Sequence, residues 1–428
     1  MPSRRGAWLL LAVFLGIYGW RNGLVVWPWL FQTEGDFGNY WRAAGEILDG
    51  RSPFTPTLNY PPLIAFLLLP LGALPLDAAR VSWFLISHAC VLGAAVALWR
   101  PLGRDLRALA VLGALWACGG TLQENLALGQ VNSLLLLVLA LAIRWELERP
   151  GRAAAMIGLG AGLKLWPGLL LLQYLARGRF RALAVGVVAL ALCVTVPLLL
   201  VATFLPPPHL PQGTGYWMGT PAPLNVSLPA LALRLTYPIG DDGDLPQDWK
   251  TGTSVGLHLD SRRRQISVVV SLTALALGLG ALALARWGKR RPDGGRWALV
   301  ALTALAGLAA PLSWYHYQLL QFPGLALLGT AYLHRRAWLP LAGLVALTAG
   351  LTRNEIRDLL VGDGGAERSL VMGAVIVLLN TILFVLLLRE MRRDRSEPTP
   401  RNLRLPSRDE LGDPACSFRG CPHRDVVG

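Results

Sequence analysis

Charge is scarce in this chain. Of its 428 residues only 15% are Asp, Glu, Lys or Arg, against about 25% in an ordinary soluble protein. That shortage argues against one soluble globular domain and against a disordered chain. Cysteine is scarce too. There are five, with Cys90, Cys118 and Cys193 inside apolar runs and Cys416 and Cys421 in a polar tail, which does not make the framework of a small secreted scaffold. Acidic residues are outnumbered, 26 against 40 basic ones, for a net charge of +14. On a soluble chain that excess would suggest nucleic acid. Here the arginines cluster between apolar runs, so membrane topology and anionic lipid account for them and no nucleic-acid partner is expected. Zinc-ligand spacing, a phosphate loop, a dinucleotide fingerprint, a nucleophile elbow in usable context and internal repeats are also missing. No cofactor is therefore expected, and a divalent-metal requirement stays open.

What the chain has is apolar length. At 54% of 428 residues, about 230 apolar residues would fill roughly a dozen spans of about 20 each. The expected class is an all-α polytopic protein of the cell membrane, multi-pass, with about twelve transmembrane helices. The candidate runs are 7–27, 61–76, 81–99, 106–118, 126–144, 153–176, 181–204, 266–286, 297–312, 317–333, 338–351 and 369–388. Arg4 and Arg5 precede the first run, and no small-x-small cleavage site follows it, so it reads as an uncleaved span with its arginine end in the cytoplasm. Alternation then puts segments 31–60 and 205–262 outside and the C-terminus inside. The basic stretches 286–291, 334–336 and 389–395 agree with that assignment. Arg100, Arg104, Arg107, Arg144, Arg149 and Arg152 do not, because alternation places them outside. Either a short segment is re-entrant or these arginines meet outer lipid phosphate. The expected organisation is a membrane-embedded domain over 1–390 and a disordered cytoplasmic tail over 391–428.

Polar residues stand out against this background. Asp36 lies in Glu34-Gly-Asp-Phe-Gly-Asn-Tyr40, ahead of an apolar stripe at helical spacing that suits a surface helix. It could serve as a general base, or simply cap that helix. In Asn59-Tyr-Pro-Pro-Leu63, paired prolines set the entry to a run and Tyr60 fits a membrane interface. Gln130 and Asn132 sit at the edge of an apolar run, where they either line a cavity or bond between helices. Lys164 lies deep in an apolar stretch and needs a counter-charge, from a ligand phosphate or from a structural carboxylate. Pro311-Leu-Ser-Trp-Tyr-His316-Tyr-Gln318 offers Trp314 and two tyrosines for sugar stacking and His316 for phosphate or hydroxyl contact, or else an aromatic belt. The proline-rich loop 205–262 suits a cover over a site.

Taken in order, these pieces resemble glycosyltransferase family 87. The resembling elements are Gly35-Asp36-Phe-Gly-Asn-Tyr40, Gly50-Arg-Ser-Pro53-Phe54, Tyr60-Pro-Pro62, Gly129-Gln-Val-Asn132, Gly162-Leu-Lys164-Leu-Trp-Pro167 and Pro311-Leu-Ser-Trp-Tyr-His316. One departure is the single His316 where the family more often carries paired histidines. The resemblance implies a GT-C-type glycosyltransferase fold and a hexosyltransferase of the mannosyltransferase kind. It would take a polyprenyl-phosphate sugar donor, with mannose the expected sugar and arabinofuranose the alternative. The acceptor would be a glycolipid or envelope glycan at the outer face, and the anomeric centre would invert. Asp36 then matches the family's acidic base. Tyr40, Tyr60, Gln130, Asn132, Lys164, Trp314 and His316 are the substrate-binding candidates, with no metal ligand among them. A lipid or sugar transporter is the rival from another class, but the inverted repeats such proteins often carry are not visible.

Overall fold

The computed structural model describes residues 4–32, 35–54, 60–103, 119–205, 227–236, 261–287, 293–310, 315–353 and 366–392, with positions 115, 313 and 356. Among these residues every regular element is helical. Most of the run at 106–118, most of the loop 205–262, Trp314 and the tail beyond Arg392 lie outside the described residues.

Among the described residues, four helices are long and apolar enough to cross a membrane: Leu76–Trp99, Phe180–Phe204, Arg264–Leu284 and Leu370–Arg392. Three shorter apolar helices, Asn132–Trp145, Gly294–Ala309 and Trp338–Thr352, accompany them. Their surroundings differ as their sequences demand. Phe180–Phe204 turns Leu192, Leu199 and Phe204 outward, as a lipid-facing helix does. Gly294–Ala309 is buried along nearly its whole surface, which is where a helix apolar on every side belongs. Phe180–Phe204 packs most extensively against Pro150–Leu163, and glycine is the reason. A Cβ on Gly158 would strike the Gly186 carbonyl, and one on Gly162 would strike Cys193. Gly158 and Gly162 are four apart on one helix face, the spacing that lets apolar helices approach closely in lipid.

Polar contacts mark one end of the bundle. Glu146, fully buried, accepts from Tyr174 Oη at 2.6 Å, Arg177 Nη1 at 2.9 Å, Arg179 Nη1 at 3.1 Å and Gln173 Nε2 at 3.3 Å. Nearby, Arg100 pairs with Glu148 at 2.7 Å, and Arg296 donates to the Ile143 carbonyl. Residues 100, 143–148, 177–179 and 296 therefore share this end. Arg335 and Glu390 pair at 2.8 Å, on elements that Gly324, Val300 and Leu387 hold side by side.

Two expected runs are built differently from a single crossing. Residues 61–76 form two short helices, Leu63–Leu67 and Leu69–Gly72, each far below the roughly 20 residues a span needs. Pro61, Pro62 and Pro70 remove backbone donors there, and the pieces lie against the amphipathic helix Gly35–Leu48. Gly72 comes so near that a Cβ would sit 2.9 Å from Ala44 Cβ. Conversely, 153–176 is not one run. The helix Pro150–Leu163 ends at Lys164, and the chain returns through a 3-10 turn at Trp166–Leu171 and the helix Leu172–Ala176. Lys164 is thus at a helix break, not in mid-span. The two changes cancel in parity, but they move 144–152 to the end that carries Arg177 and Arg179, which removes the conflict for Arg100, Arg144, Arg149 and Arg152; Arg104 and Arg107 lie outside the described residues.

This arrangement predicts a labelling pattern. In a cysteine-free background, Arg149→Cys and Arg181→Cys, both exposed, should react with impermeant reagent from the same side of the membrane, and Asp49→Cys from the opposite side. Reaction of Arg149→Cys and Asp49→Cys from one side would restore the crossing at 61–76.

Candidate active site

At the other end of the bundle, a loop and a helix start meet. Gly35 adopts φ +56°, and a Cβ there would lie 2.7 Å from the Leu128 carbonyl oxygen. That close approach lets the amides of Asp36 and Phe37 both donate to this oxygen, at 2.9 and 3.1 Å, serving two of the unpaired donors that open a helix. Asp36 therefore stands inside the first turn, where a carboxylate complements the helix dipole. Its side chain does not cap the helix; it accepts a short hydrogen bond from Gln130 Nε2. The capping role is thus set aside by where the helix begins and by what the carboxylate touches.

Gln130 is the hub. Its Oε1 accepts from Tyr60 Oη at 3.2 Å and Tyr40 Oη at 3.4 Å, and the two tyrosine rings meet edge to face with centroids 4.9 Å apart. The turn that presents it depends on Gly129, at φ +64°, where a Cβ would press on Phe37. Trp83 Nε1 donates to the Gly129 carbonyl at 2.7 Å and fixes that turn.

Lys164 closes the cluster from the helix break. Its ammonium donates to Asn132 Oδ1 at 3.0 Å and sits 3.6 Å from the centroid of the Tyr317 ring and 5.2 Å from that of Tyr60, within cation–π range. His316, on the 3-10 segment Tyr315–Gln321, places Nδ1 3.6 Å from Glu124 Oε1. Its Nε2 is buried without a hydrogen-bond partner among the described residues, as is Asn132 Nδ2. Burial pushes the Asp36 carboxyl above the usual carboxylate range, while the nearby charges of His316 and Lys164 pull it back down.

The structure thus brings together Asp36, Tyr40, Tyr60, Gln130, Asn132, Lys164 and His316, from five separate stretches of chain. Trp314 lies outside the described residues. Glu124 joins the cluster without having been singled out from sequence, and Tyr317, expected to stack on a sugar, lies against the Lys164 ammonium. Tyr317 was one of several aromatics beside His316, and Glu124 opens the polar string that ends at Asn132. Among the described residues no three of His, Cys, Asp and Glu group as metal ligands would. A half-buried carboxylate can take a proton from a hydroxyl on one side, while Lys164 and His316 beside it can hold an anion on the other.

Comparison with known proteins places this arrangement. One similar sequence is the polyprenol-phosphate-mannose-dependent alpha-(1-2)-phosphatidylinositol mannoside mannosyltransferase of Mycobacterium tuberculosis, 27% identical over 81% of this chain and 82% of that protein. Another is the polyprenol-phosphate-mannose-dependent alpha-(1-2)-phosphatidylinositol pentamannoside mannosyltransferase of Mycolicibacterium smegmatis, 29% identical over 64% of this chain and 60% of its own length. The profile of glycosyltransferase family 87 matches residues 58–313, more than half of the sequence, and the chain belongs to that family of membrane glycosyltransferases.

Proposed function

We propose that the protein moves a mannosyl group from a polyprenyl-phosphate mannose donor to a hydroxyl of a glycolipid at the outer face of the cell membrane, with Asp36 as general base. The observation that carries this reading is the half-buried Asp36 carboxylate held by Gln130, with Lys164 and His316 close enough to act on its charge. The names of the two relatives supply the donor class and point to a phosphatidylinositol-mannoside type of acceptor.

The chemistry follows from the groups present. Asp36 takes the proton of the acceptor hydroxyl as its oxygen attacks the anomeric carbon. The bond from that carbon to the phosphate oxygen breaks, and its electron pair leaves with the polyprenyl phosphate. Lys164 Nζ and His316 Nε2 meet the charge that grows on the departing phosphate. One displacement of this kind inverts the anomeric centre, and no second carboxylate is needed, unlike in a glycoside hydrolase. Tyr40 and Tyr60 hold Gln130, and Gln130 holds the base, so these three act by placing Asp36.

The outer location is supported by charge. The end opposite the site carries Arg100, Arg149, Arg177, Arg179, Arg335 and Arg389, the excess expected of a cytoplasmic face. Twelve passages remain the best reading of the chain. The crossing lost at 61–76 is replaced by the return through 166–176.

Asp36→Asn keeps size and hydrogen bonding but removes the basic lone pair, so the transfer rate should fall about 100- to 10,000-fold. Glu46→Gln, on the same helix but paired with Arg51 at the surface, should change it little. Radiolabelled polyprenyl-phosphate mannose and purified variants of equal thermal stability give the measurement. An Asp36→Asn enzyme keeping more than about a tenth of the wild-type rate would lose less than roughly 1.4 kcal/mol of barrier and would overturn the assignment.

The pH profile offers a second check. Asp36 must be ionised to act, so activity falls as pH drops through its raised pKa, and the acid limb of kcat/KM should lie above the ordinary carboxylate range. Lys164→Met removes a charge that lowers that pKa, so the acid limb should move to still higher pH while donor KM rises. An acid limb that stays in place would separate Lys164 from the base.

A further inference from the structure

Glu124 has no part in the mechanism above, yet it lies against a group that does. It sits on the helix Gly120–Ala127, with its side chain 14% exposed and Oε1 3.6 Å from His316 Nδ1. That helix is well anchored. At its start a Cβ on Gly119 would lie 2.8 Å from the Phe322 ring. Gln123 Nε2 donates to the Arg21 carbonyl at 3.0 Å, and Arg21 Nη2 donates back to Gln123 Oε1 at 3.4 Å. Asn125 Nδ2 donates to Ser133 Oγ at 2.8 Å. From its far end the Leu128 carbonyl receives the amide of Asp36. One short helix therefore carries a carboxylate to His316 and a backbone anchor to Asp36.

The chemistry of a carboxylate at one imidazole nitrogen is specific. It makes Nδ1 the protonated nitrogen and favours the imidazolium. The other nitrogen, Nε2, is buried and without a partner among the described residues, so it is the atom left for the reacting space. We propose that Glu124 is a positioning residue: it fixes the ring of His316 and holds it as a cation, so that Nε2–H is presented as a donor to the phosphate of the lipid-linked sugar. This rests on the proposed phosphate contact of His316 and adds the group that makes the contact effective.

The charges facing His316 decide the sign of the pH effect. Glu124 faces it from 120–127 and Asp36 from 35–48, and both favour the imidazolium. Lys164, at the break after 150–163, opposes it, and Tyr317 adjoins the ring in sequence. Of the other elements packed on this segment, 132–145 and 294–309 carry Arg144 and Arg296 at their opposite ends. Tyr332 and His334 are likewise remote at the far end of 322–334, and 338–352 carries no titratable group. Among the described residues Glu124 is therefore the nearest carboxylate to His316.

The test uses the full-length protein in membranes or detergent, with polyprenyl-phosphate mannose as the donor. Glu124→Gln should lower kcat/KM for the donor on the order of 10- to 100-fold, the range typical when a carboxylate behind a functional histidine is lost. It should also shift the alkaline limb of the profile to lower pH, since the imidazolium then loses its proton sooner. Glu124→Asp should restore part of both. His316→Gln should be at least as impaired as Glu124→Gln and should show no further loss when the two are combined. Wild-type rates in Glu124→Gln with an unmoved profile would overturn the proposal. So would a loss without a pH shift and without rescue by Asp, which is a packing defect. A loss as deep as that of Asp36→Asn with the acid limb abolished would make Glu124 itself the base. Wild-type donor kinetics in His316→Gln would instead remove the phosphate role of His316, a failure of the mechanism and not of the pairing alone.

Discussion

A charge inside an apolar bundle must be matched, and the site is built around that constraint. Lys164 is the clearest case. Within an unbroken span its ammonium would need a partner at mid-depth, at a cost of several kcal/mol without one. The chain stops its helix at Leu163 instead, so the ammonium stands at a helix C-terminus, the end whose dipole favours cations. Asn132 and the Tyr317 ring complete its surroundings. Asp36 uses the complementary device, a carboxylate in the first turn of Gly35–Leu48, where the dipole favours anions. Two helix ends, one of each polarity, are thus turned toward each other, and the charges they carry are the ones the proposed chemistry needs.

The opposite end solves the same problem with a closed network. Glu146 is buried beneath two guanidinium groups, a phenol and an amide. Removing one member of such a network leaves an unmatched buried charge, which typically costs about 3–5 kcal/mol. Between the two ends run helices drawn together by Gly158, Gly162 and Gly186. Within the Glu146 network Gln173 Oε1 is left without a hydrogen-bond partner among the described residues, as are His316 Nε2 and Asn132 Nδ2 at the site. What differs between the two clusters is charge: Glu146 meets two guanidinium groups in direct ion pairs, whereas Asp36 accepts from the neutral Gln130 amide.

Much of this was legible in the sequence. Asp36, Gln130, Asn132, Lys164 and His316 were conspicuous because polar residues at the edges of apolar runs need a reason to be there. What sequence could not give was continuity. Apolarity is the same whether a run is one helix or two, so 61–76 looked like a span, although Pro61, Pro62 and Pro70 divide it. Likewise 153–176 looked like one span, although Lys164 and Pro167 turn it back. Because these two misreadings cancel in parity, the count could not expose them; only the arginines at 100–107 and 144–152 pointed to trouble. The hub role of Gln130 was equally hidden. It depends on a turn fixed by Gly129 and Trp83, residues 46 apart in sequence, and no local pattern records such a pairing.

The shared position of base and cations has a consequence for the order of events. In the free protein Lys164 and His316 draw the Asp36 carboxyl down from the high value that burial alone would impose. Under the proposed mechanism a donor phosphate engages those same cations. Its negative charge offsets their pull on Asp36, so Asp36 becomes a stronger base once the donor is in place. A carboxylate that gains basicity beside a bound donor is matched to the acceptor hydroxyl at the moment the leaving group is ready. Even without donor, burial keeps the Asp36 carboxyl above the ordinary carboxylate range, so the donor's charge adds to a basicity already present. Under the proposed mechanism the close spacing of Asp36, Lys164 and His316 thus couples the strength of the base to donor binding by electrostatics alone, ahead of any contribution from a cover over the site.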